Sequence, residues 1–314
     1  MKNFILCAFL LLIASCNSRK APTAEKSKTG IQLIVLGNVQ DAGSPQLGCN
    51  KECCKDLWKN PDLKRKIISM GVMDHQYQKN YLLDASPDIS SQLQLLQQEH
   101  TTPKIIDGIF ITHAHIGHYT GLMYLGKEGA STQNIPVYTM PKLAGFLNNN
   151  GPWSQLVTQK NIVVNEMQNE HPVTLSPNLK ITPIQVPHRD EFSETVGFLI
   201  EGLEKKALFI PDIDKWGKWK YNITDFIKKV DYAFIDATFY NATELNNRDI
   251  STIPHPLVEE SMQLFNNLSP EYKKRVYFIH FNHTNKLLNP ESNESKTVIK
   301  NGYNIARMGD IVTL

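Results

Sequence analysis

The sequence predicts an α/β protein, a mixed sheet system with helices packed outside it. Two observations carry that prediction. Short apolar runs rich in β-branched and aromatic residues, flanked by polar ones, recur along the chain, and helical stretches lie between them. The 314 residues, 41% of them hydrophobic, supply ample material for a large core. Basic and acidic residues number 33 and 31, so no global positive field exists and no nucleic-acid partner is expected. Seventeen Gly and seventeen Pro exclude collagen-like and largely disordered classes.

In chain order the first feature is Met1-Lys2-Asn3, an apolar run from Phe4 to Ile13, and Ala14-Ser15-Cys16. A short basic region, an apolar region and small residues read as a secretory signal over residues 1–15. The run is shorter than the ~20 residues that span a bilayer. Ile13-Ala14-Ser15-Cys16 resembles a bacterial lipobox, which predicts lipidation at Cys16; an ordinary signal with an incidental Cys is the alternative. Residues 16–30 are polar and suit a lipid-anchored tether. The expected location is the cell envelope, periplasm-facing, with the membrane met through the anchor. Residues 31–314 carry no linker and are expected to form one domain.

Within that domain Ile31–Leu36, Tyr81–Leu83, Ile105–Thr112, Pro136–Tyr138, Leu179–Val186, Val196–Ile200, Ala207–Ile210, Tyr232–Ile235 and Val276–Ile279 read as strands. Asp88–Glu99, His118–Lys127, Lys142–Asn148, Thr224–Lys229 and Pro256–Asn267 read as helices, with Asp88 and Thr224 as N-caps.

The strands deliver chemistry. Ile109–Thr112 runs into His113-Ala114-His115-Ile116-Gly117-His118, Gln185-Val186-Pro187 into His188, and Leu208–Pro211 into Asp212. Ala233–Ile235 runs into Asp236, and Tyr277–Ile279 into His280. Groups presented at strand ends can meet at one edge of a sheet, and zinc, iron and manganese accept such imidazole and carboxylate ligands. Alternate residues of an extended segment point the same way, so His113 and His115 can act together, and His118 turns back from a helix start.

These segments resemble the metallo-β-lactamase-fold superfamily, whose motif is His-x-His-x-Asp-His. THAHIGHYTGL matches it except that Gly117 stands where Asp is usual, and PHRDEFSETVGF, PDIDKW, FIDATFY, PHPLVEES and FIHFNHTN come in family order. SETVGF and HFNHTN are most similar to the branch containing the B-protein of pyrroloquinoline quinone biosynthesis, with phosphodiesterases of the phosphonate-breakdown and tRNA 3′-processing type as neighbours. The resemblance implies a four-layer αβ/βα sandwich. It implies a first metal site at His113, His115 and His188, a second at His118 and His280, and Asp212 as the bridging carboxylate. Asp214 is the local rival of Asp212, and Asp84 and Asp236 either orient ligands or cap turns. His255 matches a histidine that contacts substrate phosphate in related phosphodiesterases, or is merely a helix-start residue. In hydrolytic members the Asp missing at Gly117 binds the second metal, so that site should hold metal more weakly, and Gly117→Asp should strengthen it.

Of five Cys, Cys49, Cys53 and Cys54 remain after the leader, clustered and odd in number, which does not suit a disulfide framework. Relatives in both branches can carry a cysteine cluster here that binds a structural zinc with a late histidine. His283 is the natural fourth ligand, and the alternatives are a Cys53–Cys54 disulfide with a free Cys49, or inert thiols. The expected function is an exported metallo-hydrolase of a small ester or phosphodiester, acting through metal-bound hydroxide. Zinc is the expected metal, one or two ions at the active site and one structural, with iron or manganese also compatible with the active site. The alternatives are an iron-dependent oxidative enzyme of cofactor biosynthesis and a non-catalytic metal-containing lipoprotein.

Overall fold

The structure, a computed structural model, describes residues 30–189, 191–245 and 253–314; the signal, the tether and Cys16 lie outside them. Apolar runs without polar alternation, such as Ala207–Ile210, need cover on both faces of a sheet. They have it. Ala207 and Phe209 face a core shared between two sheets, while Leu208 and Ile210 face a second apolar layer under helices.

Two sheets of seven strands form the centre. One contains β1 (Ile31–Gly37), β2 (Ser69–Asp74), β3 (Lys79–Leu83), β4 (Gly108–Phe110), β5 (Ile135–Thr139) and β6 (Ile162–Glu166) in that spatial order. The other runs from β7 (Val173–Ser176) through β8 (Leu179–Gln185), β9 (Val196–Glu201), β10 (Lys206–Ile210), β11 (Tyr232–Asp236) and β12 (Val276–Ile279) to β13 (Asn304–Ile305). The last strand, β14 (Ile311–Thr313), returns to pair with β1. Each sheet joins an antiparallel half to a parallel half, with β3–β6 parallel in one and β10–β13 in the other.

Phe110, Phe198, Phe209 and Phe234 fill the space between the sheets, Phe110 and Phe198 meeting edge to face at 5.8 Å. Helix Ile89–Glu99 and helix Pro141–Asn149 cover the outside of the first sheet through Leu93, Leu96, Leu143 and Leu147. Helices Ile223–Lys229, Val258–Leu264 and Asn293–Lys300 cover the second through Ile223, Ile227, Val258 and Val298. The result is the αβ/βα sandwich expected.

Local differences from the sequence reading have physical causes. The strand expected over Ile105–Thr112 is only Gly108–Phe110, because pairing with β3 and β5 ends there and Thr112 turns to bond Asp84. The helix expected at His118–Lys127 is a turn of α-helix, Ile116–Tyr119, followed by a 3₁₀ segment, Thr120–Leu125. A Cβ at Gly121 would lie 2.1 Å from the Ser86 carbonyl, so the chain passes too close for a regular side-chain-bearing helix. Asn222, not Thr224, caps its helix by accepting from the Thr224 N–H. Asp88 occupies its cap position but spends its carboxylate on the Ile67 N–H and Lys66. The helix expected over Pro256–Asn267 is trimmed to Val258–Leu264, with Glu260 accepting from the Leu257 N–H at its start. Strands β2, β6, β7, β13 and β14 escaped the sequence reading: β2 carries a glycine, Gly71, in the middle of its apolar residues, and the others are short or half exposed edge segments.

Truncating Phe198 to Ala removes a ring from the inter-sheet core and should cost about 3–5 kcal/mol. Equilibrium denaturation measures this, and a loss below about 1 kcal/mol would contradict the packing described.

Candidate metal centre

Parallel strands present their trailing loops at one edge of a sheet, and ligands in such sheets bind beyond the carboxyl ends. Asp41 comes after β1, Asp84 after β3 and His113–His118 after β4; His188 comes after β8, Asp212 after β10 and His280 after β12. The sandwich brings these two edges together.

His113, His115, His188 and Asp212 offer donor atoms within 4.8 Å of one another. Asp212 Oδ2 lies 3.4 Å from His113 Nε2 and 3.8 Å from His115 Nδ1, while Oδ1 lies 3.2 Å from His188 Nε2. Asp214 sits outside this set, 3.4 Å from His188 Nδ1 and bonded to Lys218. Burial raises the Asp212 pKa, but the facing histidines, His255 and His188 first, outweigh it and hold the carboxyl well below its usual range. His113 is driven well below the usual histidine range by burial and by the neighbouring His118. His115 is the more open member, its Nε2 turned to Arg189 at 3.1 Å and Glu191 at 3.9 Å.

His118 and His280 form a second set, completed by Asp41 rather than by Asp212. The two sets are adjacent, with the His113 and His118 rings 4.1 Å apart.

Behind the donors run two matching relays. Asp84 accepts from the Thr112 N–H (2.8 Å), the Thr112 hydroxyl (2.9 Å) and His118 Nδ1 (2.8 Å), and Thr112 Oγ1 meets His113 Nδ1 at 3.0 Å. Asp236 accepts from the Thr238 N–H (2.9 Å), the Thr238 hydroxyl (2.8 Å) and His255 Nδ1 (2.9 Å), and Thr238 Oγ1 meets His280 Nδ1 at 2.9 Å. Each relay takes up the far nitrogens, which fixes the tautomer and leaves the near atoms for a ligand. His255 also lies 3.2 Å from Asp212 Oδ1. Burial lowers its pKa, but Asp236 and Asp212 outweigh this and push it up to about 10.

The chemistry of these sets fits a metal. His113 Nε2, His118 Nε2, His280 Nε2, Asp41 Oδ1 and Asp212 Oδ1 are all buried and hydrogen bond to nothing in the protein. Buried polar atoms are rarely left so, because each costs about 1–3 kcal/mol unmet. A divalent cation at each set would satisfy them.

Cys49, Cys53, Cys54 and His283 meet at a separate place, their donor atoms within 4.8 Å of one another. All three thiols are free, and Cys53 Sγ stands 3.9 Å from Cys54 Sγ, far beyond the ~2.05 Å of a disulfide, which overturns the Cys53–Cys54 disulfide. His283 Nδ1 meets Asn282 Oδ1 at 3.1 Å, so its other nitrogen is the one for the thiols. A cavity of 490 Å³ lies beside this clip, walled by Lys51, Phe239, Glu244 and Thr284, and Phe239 reaches to 6.1 Å from the His255 ring.

A family model described as the Beta-lactamase superfamily domain matches residues 79–281. The chain belongs to that superfamily. Coenzyme PQQ synthesis protein B of Methylorubrum extorquens (strain PA1) is 24% identical over 311 residues, covering 89% of this chain and 98% of that protein. Among solved structures, Zn(2+)-bound PqqB from Methylobacterium extorquens superposes with a TM-score of 0.73 at 21% identity, over 90% of this chain and all of that one. A diphosphatase from the PhnP family superposes at 0.63 with 20% identity, over 91% of this chain and 98% of that one.

The departure from the superfamily motif at Gly117 overturns one expectation. Asp cannot simply be restored there: a Cβ on Gly117 would lie 2.3 Å from Asp41 Oδ1 and 2.6 Å from Asp41 Cα. Sequence reading missed Asp41 because it lies four residues beyond β1, in a loop where no His accompanies it. The strand-end rule that found the other residues applied to it too. Thr112 and Thr238 were also missed, since a hydroxyl between a carboxylate and an imidazole has no motif of its own.

The clip ties the loop after β1 to the segment after β12, and closing so long a loop stabilises. His283→Ala should therefore release one zinc per chain and lower the melting temperature, with the metal at the His113 set retained. Elemental analysis and thermal unfolding read both; no change in either would mean the thiols hold no metal.

Proposed function

We propose that this chain is a metal-dependent hydrolase of a small ester or phosphodiester. The observation that supports it most is the convergence of unsatisfied imidazole and carboxylate atoms from two adjacent donor sets on one edge of the sandwich. In this reading His113, His115, His188 and Asp212 hold one metal, and His118 and His280 help hold a second. Zinc suits the nitrogen and oxygen donors, and iron or manganese would also accept them. Bound there, such ions supply an activated water and polarise the scissile group.

The chain's own groups do the rest. The Asp84–Thr112 and Asp236–Thr238 relays keep protons on the far ring nitrogens and hold the rings still. His255 donates a hydrogen bond from Nδ1 to Asp236, which leaves Nε2 to meet an anionic substrate oxygen or the leaving group. Arg189, mostly exposed beside His115, offers a further cation for an anionic substrate.

A second reading, an iron-dependent oxidative step in cofactor synthesis, is supported by the relatives named Coenzyme PQQ synthesis protein B, which the chain matches over nearly their whole length. His113 and His115 supply nitrogen donors for either chemistry.

Metal analysis of the purified protein with assays on a generic phosphodiester separates the readings. Zinc or manganese with hydrolysis, both lost in His113→Ala, is the expected result, with kcat/KM falling at least about 10³-fold. Iron with oxygen consumption and no hydrolysis would replace it with the oxidative reading, and metal without turnover would leave a binding lipoprotein.

We also propose export and lipidation at Cys16, on the strength of the leader alone. In cell fractionation the mature protein should partition with membranes and lose residues 1–15, and Cys16→Ala should abolish this. Uncleaved protein in the soluble fraction would refute it.

A further inference from the structure

The motif residue missing at Gly117 would deprive the second donor set of its carboxylate, leaving two imidazoles for a divalent ion. We propose that Asp41 supplies that carboxylate from the loop after β1, and that position 117 is glycine because Asp41 fills the space a side chain there would need. The inference rests on the metal-centre reading above.

Asp41 Oδ1 lies 2.9 Å from His118 Nε2 and 3.8 Å from His280 Nε2. The rings are fully buried, and all three atoms lack a hydrogen bond despite these distances. The far nitrogens of both rings have partners of their own. His118 Nδ1 donates to Asp84 at 2.8 Å. The Thr238 hydroxyl spends its hydrogen on Asp236, so it can only accept from His280 Nδ1. Both Nε2 atoms therefore face the Asp41 carboxylate oxygen while their other ring nitrogens are engaged elsewhere. Two imidazole nitrogens and a carboxylate oxygen converging on one buried point make a donor set that zinc accepts.

The loop that carries Asp41 is fastened on both sides. Asn38 Nδ2 donates to the Ala306 carbonyl at 2.8 Å, and the Asn38 and Val39 N–H groups to the Lys66 carbonyl at 3.0 Å. The Gln40 N–H donates at 2.8 Å to the carbonyl of Phe281, the residue after His280. One hydrogen bond thus links the segments that bring Asp41 and His280 to the same point. On the other side Gly117 leaves Asp41 its room: a Cβ there would also lie 3.0 Å from Asp41 Cβ. A carboxylate reaches this point from position 41 or from position 117, not from both.

The test uses the full chain loaded with zinc and then dialysed, with metal per chain, zinc affinity against a competing chelator, and thermal midpoint as readouts. Asp41→Asn keeps the shape and removes the charge. Loss of an outer-sphere partner already costs about 10–100-fold in metal affinity, so Asp41→Asn should weaken one zinc by about 100-fold or more. It should match His280→Ala in this and leave the clip and the His113 set loaded. Gly117→Ala, which displaces Asp41, should lose the same zinc. If Asp41→Asn keeps wild-type stoichiometry and affinity while its midpoint falls, Asp41 is only an ion-pair partner of His118 and the proposal is wrong. If wild type holds zinc at the clip and the His113 set but His280→Ala loses none, the second site itself does not exist. If His113→Ala also loses none, the metal-centre reading fails with it.

Discussion

Buried ring nitrogens and carboxylate oxygens that hydrogen bond to nothing, gathered where two sheets end, are the constraint on which the rest of the molecule depends. Leaving such groups dry and unmet is costly. Asp212 and Asp41 are held ionised by the surrounding histidines against the pull of burial. Burial pulls His118 down too, and Asp84 and Asp41 overcome it and hold the ring well above its usual range. Carboxylates and imidazoles thus stabilise one another's charge, and a divalent cation would take the place of the ring protons among the same donors.

That balance needs a rigid frame. Phe110, Phe198, Phe209 and Phe234 lock the sheets face to face, which sets how near the loop after β4 comes to those after β8, β10 and β12. Two backbones adopt left-handed geometry at the frame's edge, Asp84 with φ of 64° and His280 with φ of 68°. Neither is glycine, so each conformation costs energy that the surrounding structure must supply. At Asp84 the return is a carboxylate shared by Thr112 and His118; at His280 it is a ring aimed at Asp41 while the chain continues to His283 and the clip. The two halves of the sandwich thus solve the same problem with the same parts, an Asp and a Thr behind a His.

The sequence alone determined the α/β class, the principal strands and the helices Ile89–Glu99 and Pro141–Asn149. It also marked every residue now gathered in the two donor sets and the clip except Asp41, and His255 beside them. It could do so because each signal is local: an apolar run covered on both faces is continuous, and a His or Asp directly after it rides on the strand end. The same locality left edge strands such as β6 and β7 unread, since half-exposed segments carry mixed patterns.

Tertiary structure decided what locality cannot carry. Asp41 and Gly117 lie 76 positions apart in the chain, and nothing near either reveals that one occupies the volume of the other. Read locally, Gly117 is a missing ligand. Read in space, a carboxylate stands 2.9 Å from His118, delivered by a loop pinned to Lys66, Phe281 and Ala306. Backbone hydrogen bonds from distant segments set that position, and steric exclusion at a single Cβ made the glycine necessary; neither quantity exists until the chain is folded.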